Sequence, residues 1–116
     1  MKKEFNKVEG ASGEFNAVEY LEKKKYKILE KNHKNRLGEI DLIAQYKDMI
    51  VFVEVKARST LMFGRPSEAV DYRKQQKIRN IASLYLLQHK KMDSQCRFDV
   101  IEVIGQSEIN HIENAF

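Results

Sequence analysis

The sequence predicts a mixed α/β fold in which a mixed β-sheet is flanked by helices. Two observations carry this prediction. Two segments repeat apolar residues at the three-to-four spacing of an amphipathic helix, and several shorter segments are rich in β-branched and aromatic residues. With 116 residues, 42% of them hydrophobic, the chain can form one compact core. We therefore predict a single domain, residues 1–116.

The N-terminal part of the chain predicts one helix and one short strand. Apolar residues recur at helical spacing from Ser12 to Lys25, and Ser12 is a suitable N-cap. The mixed segment Tyr26 to Glu30 predicts a first strand. The polar residues Asn32 to Arg36 then predict a loop.

The rest of the chain predicts a hairpin, a long helix and a final strand. Glu39 to Tyr46 and Met49 to Ala57 are separated by few residues, which favours an antiparallel hairpin. A helix is predicted from Pro66 to about Gln88, because proline is favoured in a first helical turn. Arg97 to Ile104 predicts a last strand, which Gly105 ends. A loop and a helix precede this strand, so it can lie parallel to an earlier one.

Composition and charge narrow the possible classes of protein. Lys and Arg number 21 against 17 Asp and Glu, giving a net charge of +4, which permits an anionic partner without requiring one. The sequence contains no apolar run that could cross a bilayer and no hydrophobic signal segment after Met1, so we expect a cytoplasmic protein that does not bind membranes. The single cysteine, Cys96, excludes an internal disulfide and a cysteine-based zinc site.

Charged side chains are predicted to meet across the hairpin. Side chains alternate along a strand, so Phe52, Glu54 and Lys56 share a face. A short connection at Lys47 and Asp48 fixes the register and places Asp41 opposite Glu54. Directly opposed residues have Cβ atoms roughly 5 Å apart, and like charges at that distance repel. This repulsion requires something to offset it.

A divalent cation is one way to offset the repulsion. Two carboxylates, together with water and a phosphate oxygen, form a suitable site for Mg²⁺. Lys56 lies one strand repeat beyond Glu54 and could reach a phosphate, so the set suits phosphodiester hydrolysis. The alternative is an exposed sheet face on which Glu39 or Glu54 pairs with Lys56. The short spacing, taken alone, favours that alternative.

Glu14 is a further candidate on the first helix. It precedes Val18 by four residues and Leu21 by seven, which places a carboxylate beside the apolar stripe. Glu14 could face the site, or it could be a first-turn glutamate favoured by the helix dipole near Ser12. The sequence favours neither explanation over the other.

Four segments of the chain match a known pattern: Gly38 to Asp41, Phe52 to Arg58, Phe63 to Pro66 and Arg97 to Val100. With them, the chain from Gly13 to Phe116 resembles the YraN-type family of small bacterial proteins. That family looks like a member of the restriction-endonuclease-like superfamily with the PD-(D/E)XK signature, nearest in layout to archaeal Holliday junction resolvases. The resemblance implies an αβββαβ core.

The resemblance also implies roles for individual residues. The first strand acid of the superfamily falls on Asp41, the second acid on Glu54 and the lysine on Lys56, while the helix glutamate of the resolvases falls on Glu14. Ile40 replaces the proline that usually precedes the first acid. The implied activity is a DNA endonuclease that uses Mg²⁺ or Mn²⁺ held by Asp41, Glu54 and Glu14, with branched or damaged DNA as candidate substrates.

Basic residues around the site are candidates for contacts with DNA phosphates. Arg36, Arg58 and Arg65 are expected to bind the DNA backbone. The basic residues of the second helix are instead expected to lie towards solvent; they are Arg73, Lys74, Lys77 and Arg79.

Two other functions remain open at this point. The chain could be a nucleic-acid-binding module that retains the nuclease fold without catalysis. It could also be a protein-interaction domain that uses its apolar tail, although we expect the tail to dock on its own core; the tail residues are Ile109, Ile112, Ala115 and Phe116. The resolvase resemblance also suggests a homodimer, for which the sequence shows no interface.

Overall fold

The computed structural model describes residues 2–58, 70–105 and 108–116, with side chains from residue 13 onward except that of Arg58. The helices and strands follow one another in the predicted order, and one further strand comes at the end. The elements are α1 (Lys2–Lys23), β1 (Lys27–Asn35), β2 (Gly38–Tyr46), β3 (Met49–Arg58), α2 (Tyr72–Gln88), β4 (Gln95–Ile104) and β5 (Glu108–Ile112).

The strands form one mixed sheet in the order β1-β2-β3-β4-β5. β3 and β4 are parallel, and the other neighbouring pairs are antiparallel. The chain passes through α2 between the two parallel strands, as a parallel connection requires. The predicted mixed α/β fold with an αβββαβ core is confirmed, and β5 extends it.

The two helices cover opposite faces of the sheet. One core cluster packs α1 against the sheet, and a second packs α2 against the other face. The α1-side cluster contains Ala17, Val18, Leu21, Tyr26, Leu42, Ala44, Val51, Val53, Ile101 and Val103. The α2-side cluster contains Ile40, Ile43, Ile50, Phe52, Val70, Ile78, Ile81, Ala82, Tyr85 and Val100.

The predicted register of the hairpin is confirmed along its ladder. Tyr46 pairs with Met49 and Leu42 pairs with Val53, which continues towards Asp41 and Glu54. The two-residue connection leaves the strands no room to slip, because a shift by one residue would turn every core side chain to the other face.

β1 is longer than the sequence predicts. The residues from Asn32 to Asn35 belong to this strand, so the predicted loop is wrong for them. His33 pairs with Ile40 of β2, and its ring lies 5.1 Å from that of Tyr85. Hydrogen bonding to β2 and burial against α2 hold this polar segment in the sheet, and neither contact is visible in local composition.

Both β1 and β2 lose their regular alternation at one level of the sheet. Regular alternation along β2 predicts that Ile40, Leu42 and Ala44 share a face. Leu42 and Ala44 do pack together on the α1 side, but Ile40 packs on the α2 side, so the prediction is wrong for Ile40. In β1, Asn32 has a positive φ of 51°, which breaks a regular strand. Asp41 lies at this irregular level.

The starts of both helices differ from the predicted ones. α1 begins at Lys2, so Ser12 is not its N-cap. α2 begins at Tyr72, and the two residues before it are not helical, so the helix does not run from Pro66, which itself lies outside the described residues. The carboxylate of Asp71 caps α2 by accepting a hydrogen bond from a backbone N–H of the first turn.

The C-terminal segment docks on its own core, as predicted. Ile109 packs against the α1-side cluster, while Ile112, Ala115 and Phe116 pack against the α2-side cluster. The strand β5 within this segment was missed, because Glu108–Ile112 mixes polar and apolar residues. In the described part of the chain, no helix is both long and apolar enough to cross a membrane.

A buried polar network fixes this segment to β4. The Asp99 side chain is 0% exposed and accepts hydrogen bonds from Arg97 at 2.8 and 2.7 Å and from His111 Nε2 at 2.6 Å. His111 Nδ1 lies 3.1 Å from the hydroxyl of Tyr20, and Arg97 donates to Tyr26 at 2.6 Å. The network therefore joins α1, β4 and β5 on the α1 side of the sheet.

Candidate active site

Backbone N–H groups hold the carboxylates of Asp41 and Glu54 in place where the regular ladder between β2 and β3 ends. The backbone N–H of Asp41 donates to Glu54 Oε2 at 3.2 Å, and the backbone N–H of Val55 donates to Asp41 Oδ2 at 2.8 Å. Each carboxylate is thus fixed through one oxygen. Asp41 Oδ1 and Glu54 Oε1 take no part in these two bonds.

The two carboxylates repel each other in a poorly hydrated site. Glu54 is 5% exposed. Burial, and then the neighbouring Asp41 carboxylate, raise the pKa of Glu54 to about 7, although the Asp41 N–H, Lys74 and Lys56 act in the opposite direction. The pair is therefore costly unless a positive charge offsets it.

The alternative of an exposed sheet face with simple ion pairs does not fit Glu54, because that side chain is buried. Glu39 does lie at the surface, but its carboxylate is 3.8 Å from Lys34 Nζ, an ion pair with β1 rather than with Lys56. Asp41 and Glu54 thus differ from their acidic neighbour in both burial and partners.

Two lysines face the carboxylate pair on the α2 side. Lys74 Nζ is 3.7 Å from Glu54 Oε1. Burial lowers the pKa of Lys56, and Lys74, which lies within hydrogen-bonding reach, lowers it further, against the attraction of Glu54 and Asp41. The site therefore combines two acids with two amines.

Lys74 is a candidate site residue that the sequence interpretation missed, because we expected its side chain to lie towards solvent. It stands in the first turn of α2, where its backbone N–H donates to the Asp71 carboxylate at 2.9 Å. An N-cap at Asp71 was the available signal, since it would have started the helix beside the sheet. Arg73 and Lys77, on the same helix, are exposed, as predicted.

Glu14 approaches the site from the opposite helix. At Gly13, the residue before Glu14, α1 comes very close to β3: a Cβ added to Gly13 would lie 2.7 Å from Ala57 Cβ. Burial and the Asp41 carboxylate raise the pKa of Glu14, while a hydrogen bond with Asn32 lowers it. The contact between α1 and β3 is therefore what brings Glu14 towards Asp41.

Among the described residues, no group of three or more His, Cys, Asp or Glu side chains stands ready to hold a metal ion. The arrangement offers the carboxylate pair of Asp41 and Glu54, with Glu14 further out. The role of Glu14 as a ligand stays a prediction.

Another buried acid lies beside the site on β4. Glu102 pairs with Lys56 in the parallel register, is 0% exposed and accepts a hydrogen bond from Asn110. A charged residue between Ile101 and Val103 was its signal in the sequence. The hydrogen bond from Asn110 connects it to β5.

The three arginines predicted to contact phosphates differ in how much of them the structure describes. Arg36 is exposed in the turn between β1 and β2. Arg58 ends β3, but its side chain lies outside the described part of the chain, and Arg65 lies outside it altogether. Their contacts with DNA stay predictions.

Known relatives match nearly the whole chain. The model of the family described as "Uncharacterised protein family UPF0102" matches residues 13–103. A UPF0102 protein of Caldanaerobacter subterraneus subsp. tengcongensis is 55% identical over 122 residues, covering 100% of both chains. One from Alkaliphilus oremlandii is 54% identical over 96% of this chain and 99% of its own length, and one from Clostridioides difficile is 50% identical over 96% and 98%. These names state no activity.

Proposed function

This chain belongs to the uncharacterised protein family UPF0102, the YraN-type family, and we propose from its geometry that it is a metal-dependent DNA endonuclease. The observation that carries the proposal is the pairing of the buried Glu54 with the half-buried Asp41, each fixed through one oxygen by a backbone N–H. A purely structural role does not account for this pair, because placing a second carboxylate beside a buried one is unfavourable.

The residues fit a divalent cation, Mg²⁺ or Mn²⁺. The raised pKa of Glu54 reports how poorly the site holds two negative charges by itself, and Asp41 Oδ1 and Glu54 Oε1 are hard oxygen donors of the kind these cations prefer. Glu14 would contribute from the α1 side. When bound, such an ion polarises the phosphoryl group and lowers the pKa of water.

The lysines supply the remaining chemistry. In hydrolysis a water oxygen forms a bond to phosphorus, the P–O bond to the leaving oxygen breaks, and a proton moves from the water towards that leaving oxygen. Lys74 as an ammonium neutralises charge on the phosphoryl oxygens. Lys56, with its lowered pKa, gives up its proton more readily than an ordinary lysine, which suits it to proton transfer towards the leaving oxygen.

The positive charge near the site favours a nucleic acid as substrate. Lys56 and Lys74 stand beside the acids, and Gly38 brings the β1–β2 turn, which carries the exposed Arg36, against α2. The resemblance to resolvases adds branched or damaged DNA as the candidate substrates and a homodimer as the candidate assembly.

A cleavage assay tests this proposal. Labelled duplex, single-stranded, flap and four-way-junction DNA would be incubated with Mg²⁺ or Mn²⁺ and with wild type, Glu54→Ala or Lys56→Ala. Glu39→Ala, which removes an exposed acid of the same hairpin, is the matched control. We expect metal-dependent cutting that Glu54→Ala abolishes, that Lys56→Ala slows by roughly 10²–10³-fold, and that the control retains.

Absence of metal-dependent cutting on every substrate, or cutting that neither site variant affects, would refute the proposal. Salt-sensitive binding that persists without cleavage would support the alternative of a non-catalytic nucleic-acid-binding module.

A further inference from the structure

A cleft opens on the α1 side of the sheet, next to the candidate active site. It has a volume of about 410 Å³ and lies between α1 and the first two strands. Ligand pockets for small organic groups have volumes of roughly 300–1,000 Å³. Its lining residues are Glu14, Phe15, Val18, Glu19, Glu22, Lys31, Asn32 and Leu42. Glu14 lines the cleft and its carboxylate interacts with that of Asp41, so the cleft lies beside the candidate site.

The walls of the cleft suit a flat apolar group. Val18 and Leu42 are buried members of the core and provide an apolar floor, with exposures of 9% and 0%. Phe15, in contrast, is 62% exposed on the outer wall. An aromatic ring left in solvent beside an apolar floor offers a face on which another ring can stack.

The charges of the cleft exclude a phosphate. Three carboxylates, those of Glu14, Glu19 and Glu22, face a single lysine, Lys31. The cations that could bind phosphates, Lys56 and Lys74, lie on the opposite, α2 side. A strand of nucleic acid bound across the site would therefore have its backbone on the α2 side, and an uncharged part of it would face the cleft.

We propose that this cleft binds an unpaired nucleobase of the nucleic-acid substrate, stacked on Phe15 and hydrogen-bonded by Asn32 and Glu14. Asn32 is exposed at the irregular level of β1 and hydrogen-bonds Glu14, but an amide and a carboxylate each have more than one polar atom for hydrogen bonding. Carboxylates accept hydrogen bonds from the amino groups of bases. A base in a duplex has neither its pairing edge nor its faces free. The inference rests on the proposed function, and it selects substrates with an unpaired nucleotide beside the cut phosphate.

Binding to short DNA in the presence of EDTA tests this inference without requiring cleavage. The probes are a fluorescent 12-nucleotide single strand and the duplex of the same sequence. We compare wild type, Phe15→Ala, Phe15→Tyr and Leu87→Ala; the last is the matched control, since Leu87 is also 62% exposed but lies on α2. Phe15→Ala should weaken single-strand binding about tenfold or more and leave duplex binding unchanged, while Phe15→Tyr and Leu87→Ala should bind like wild type.

Equal losses for single strand and duplex, no effect of Phe15→Ala, or failure of wild type to bind the single strand would overturn the inference. The two proposals fail separately. Single-strand binding through Phe15 in a protein that never cuts would refute the hydrolysis and keep the cleft, whereas cutting that Phe15→Ala does not alter would do the reverse.

Discussion

The close contact between α1 and β3 gives the sharpest structural prediction, for Gly13→Ala. The added Cβ would lie 2.7 Å from Ala57 Cβ, whereas carbon atoms prefer roughly 3.5–4.0 Å. Both atoms are attached directly to backbone, so no side-chain rotation relieves the contact. The helix would have to move away from the strand by about 1 Å, and Glu14 would move with it.

Two opposing effects set the change in stability on Gly13→Ala. Overpacking costs roughly 1–3 kcal/mol. Replacing a glycine inside a helix by alanine gains about 1 kcal/mol. We therefore expect the free energy of unfolding to fall by about 1 kcal/mol, which lowers Tm by roughly 4 °C for a domain of this size.

A double-mutant cycle with Ala57→Gly isolates the contact. Ala57→Gly alone should destabilise the protein by roughly 0.5–1 kcal/mol, but in the Gly13→Ala background it removes the clashing methyl group. Urea unfolding should then show the double variant to be more stable than the sum of the single changes by about 1 kcal/mol or more. A Gly13→Ala variant that is more stable than wild type, with no coupling to position 57, would refute the close-contact argument.

Two further changes test the buried network and the second lysine. Asp99→Asn should lower the free energy of unfolding by roughly 3 kcal/mol at neutral pH, because Arg97 loses its buried charged partner. Burial alone would raise the pKa of Asp99, but hydrogen bonds from His111, from Arg97 and from a backbone N–H hold that pKa below its usual value. Wild type should therefore lose stability as pH falls below about 4. If urea unfolding showed that the variant loses stability equally steeply at acid pH, this explanation would be contradicted. Lys74→Ala should slow cleavage by about tenfold or more while Lys77→Ala changes the rate little, and equal effects of the two would contradict the placement of Lys74 at the site.

The sequence predicts the pairing of Asp41 with Glu54 because local rules decide it. A two-residue connection and alternating core residues fix the register of β2 and β3, and the ladder from Tyr46 to Leu42 follows that register. The same rules identify β4 through its apolar residues. These rules cannot predict the burial of Glu54, because that burial depends on α2, which lies further along the sequence.

Long-range packing explains most of what the sequence interpretation missed. β1 continues through polar residues because β2 pairs with it, and Ile40 departs from the regular alternation of β2 and packs on the α2 side. Lys74 looks like one of several basic residues on a helix surface until the cap at Asp71 starts that helix beside β3. Local periodicity gives no sign of the change of face at Ile40 or of where the Asp71 cap lies relative to the sheet.

We propose that Asp41 and Glu54 together hold a divalent cation. Calorimetric titration of Mn²⁺ into metal-free protein tests this binding most directly. Wild type and Glu39→Gln, which changes the exposed acid of the same hairpin, should bind Mn²⁺ equally. Asp41→Asn and Glu54→Gln should each weaken binding about tenfold or more, with folding verified by circular dichroism. Absence of Mn²⁺ binding by wild type, or the same affinity in all of these proteins, would contradict the claim.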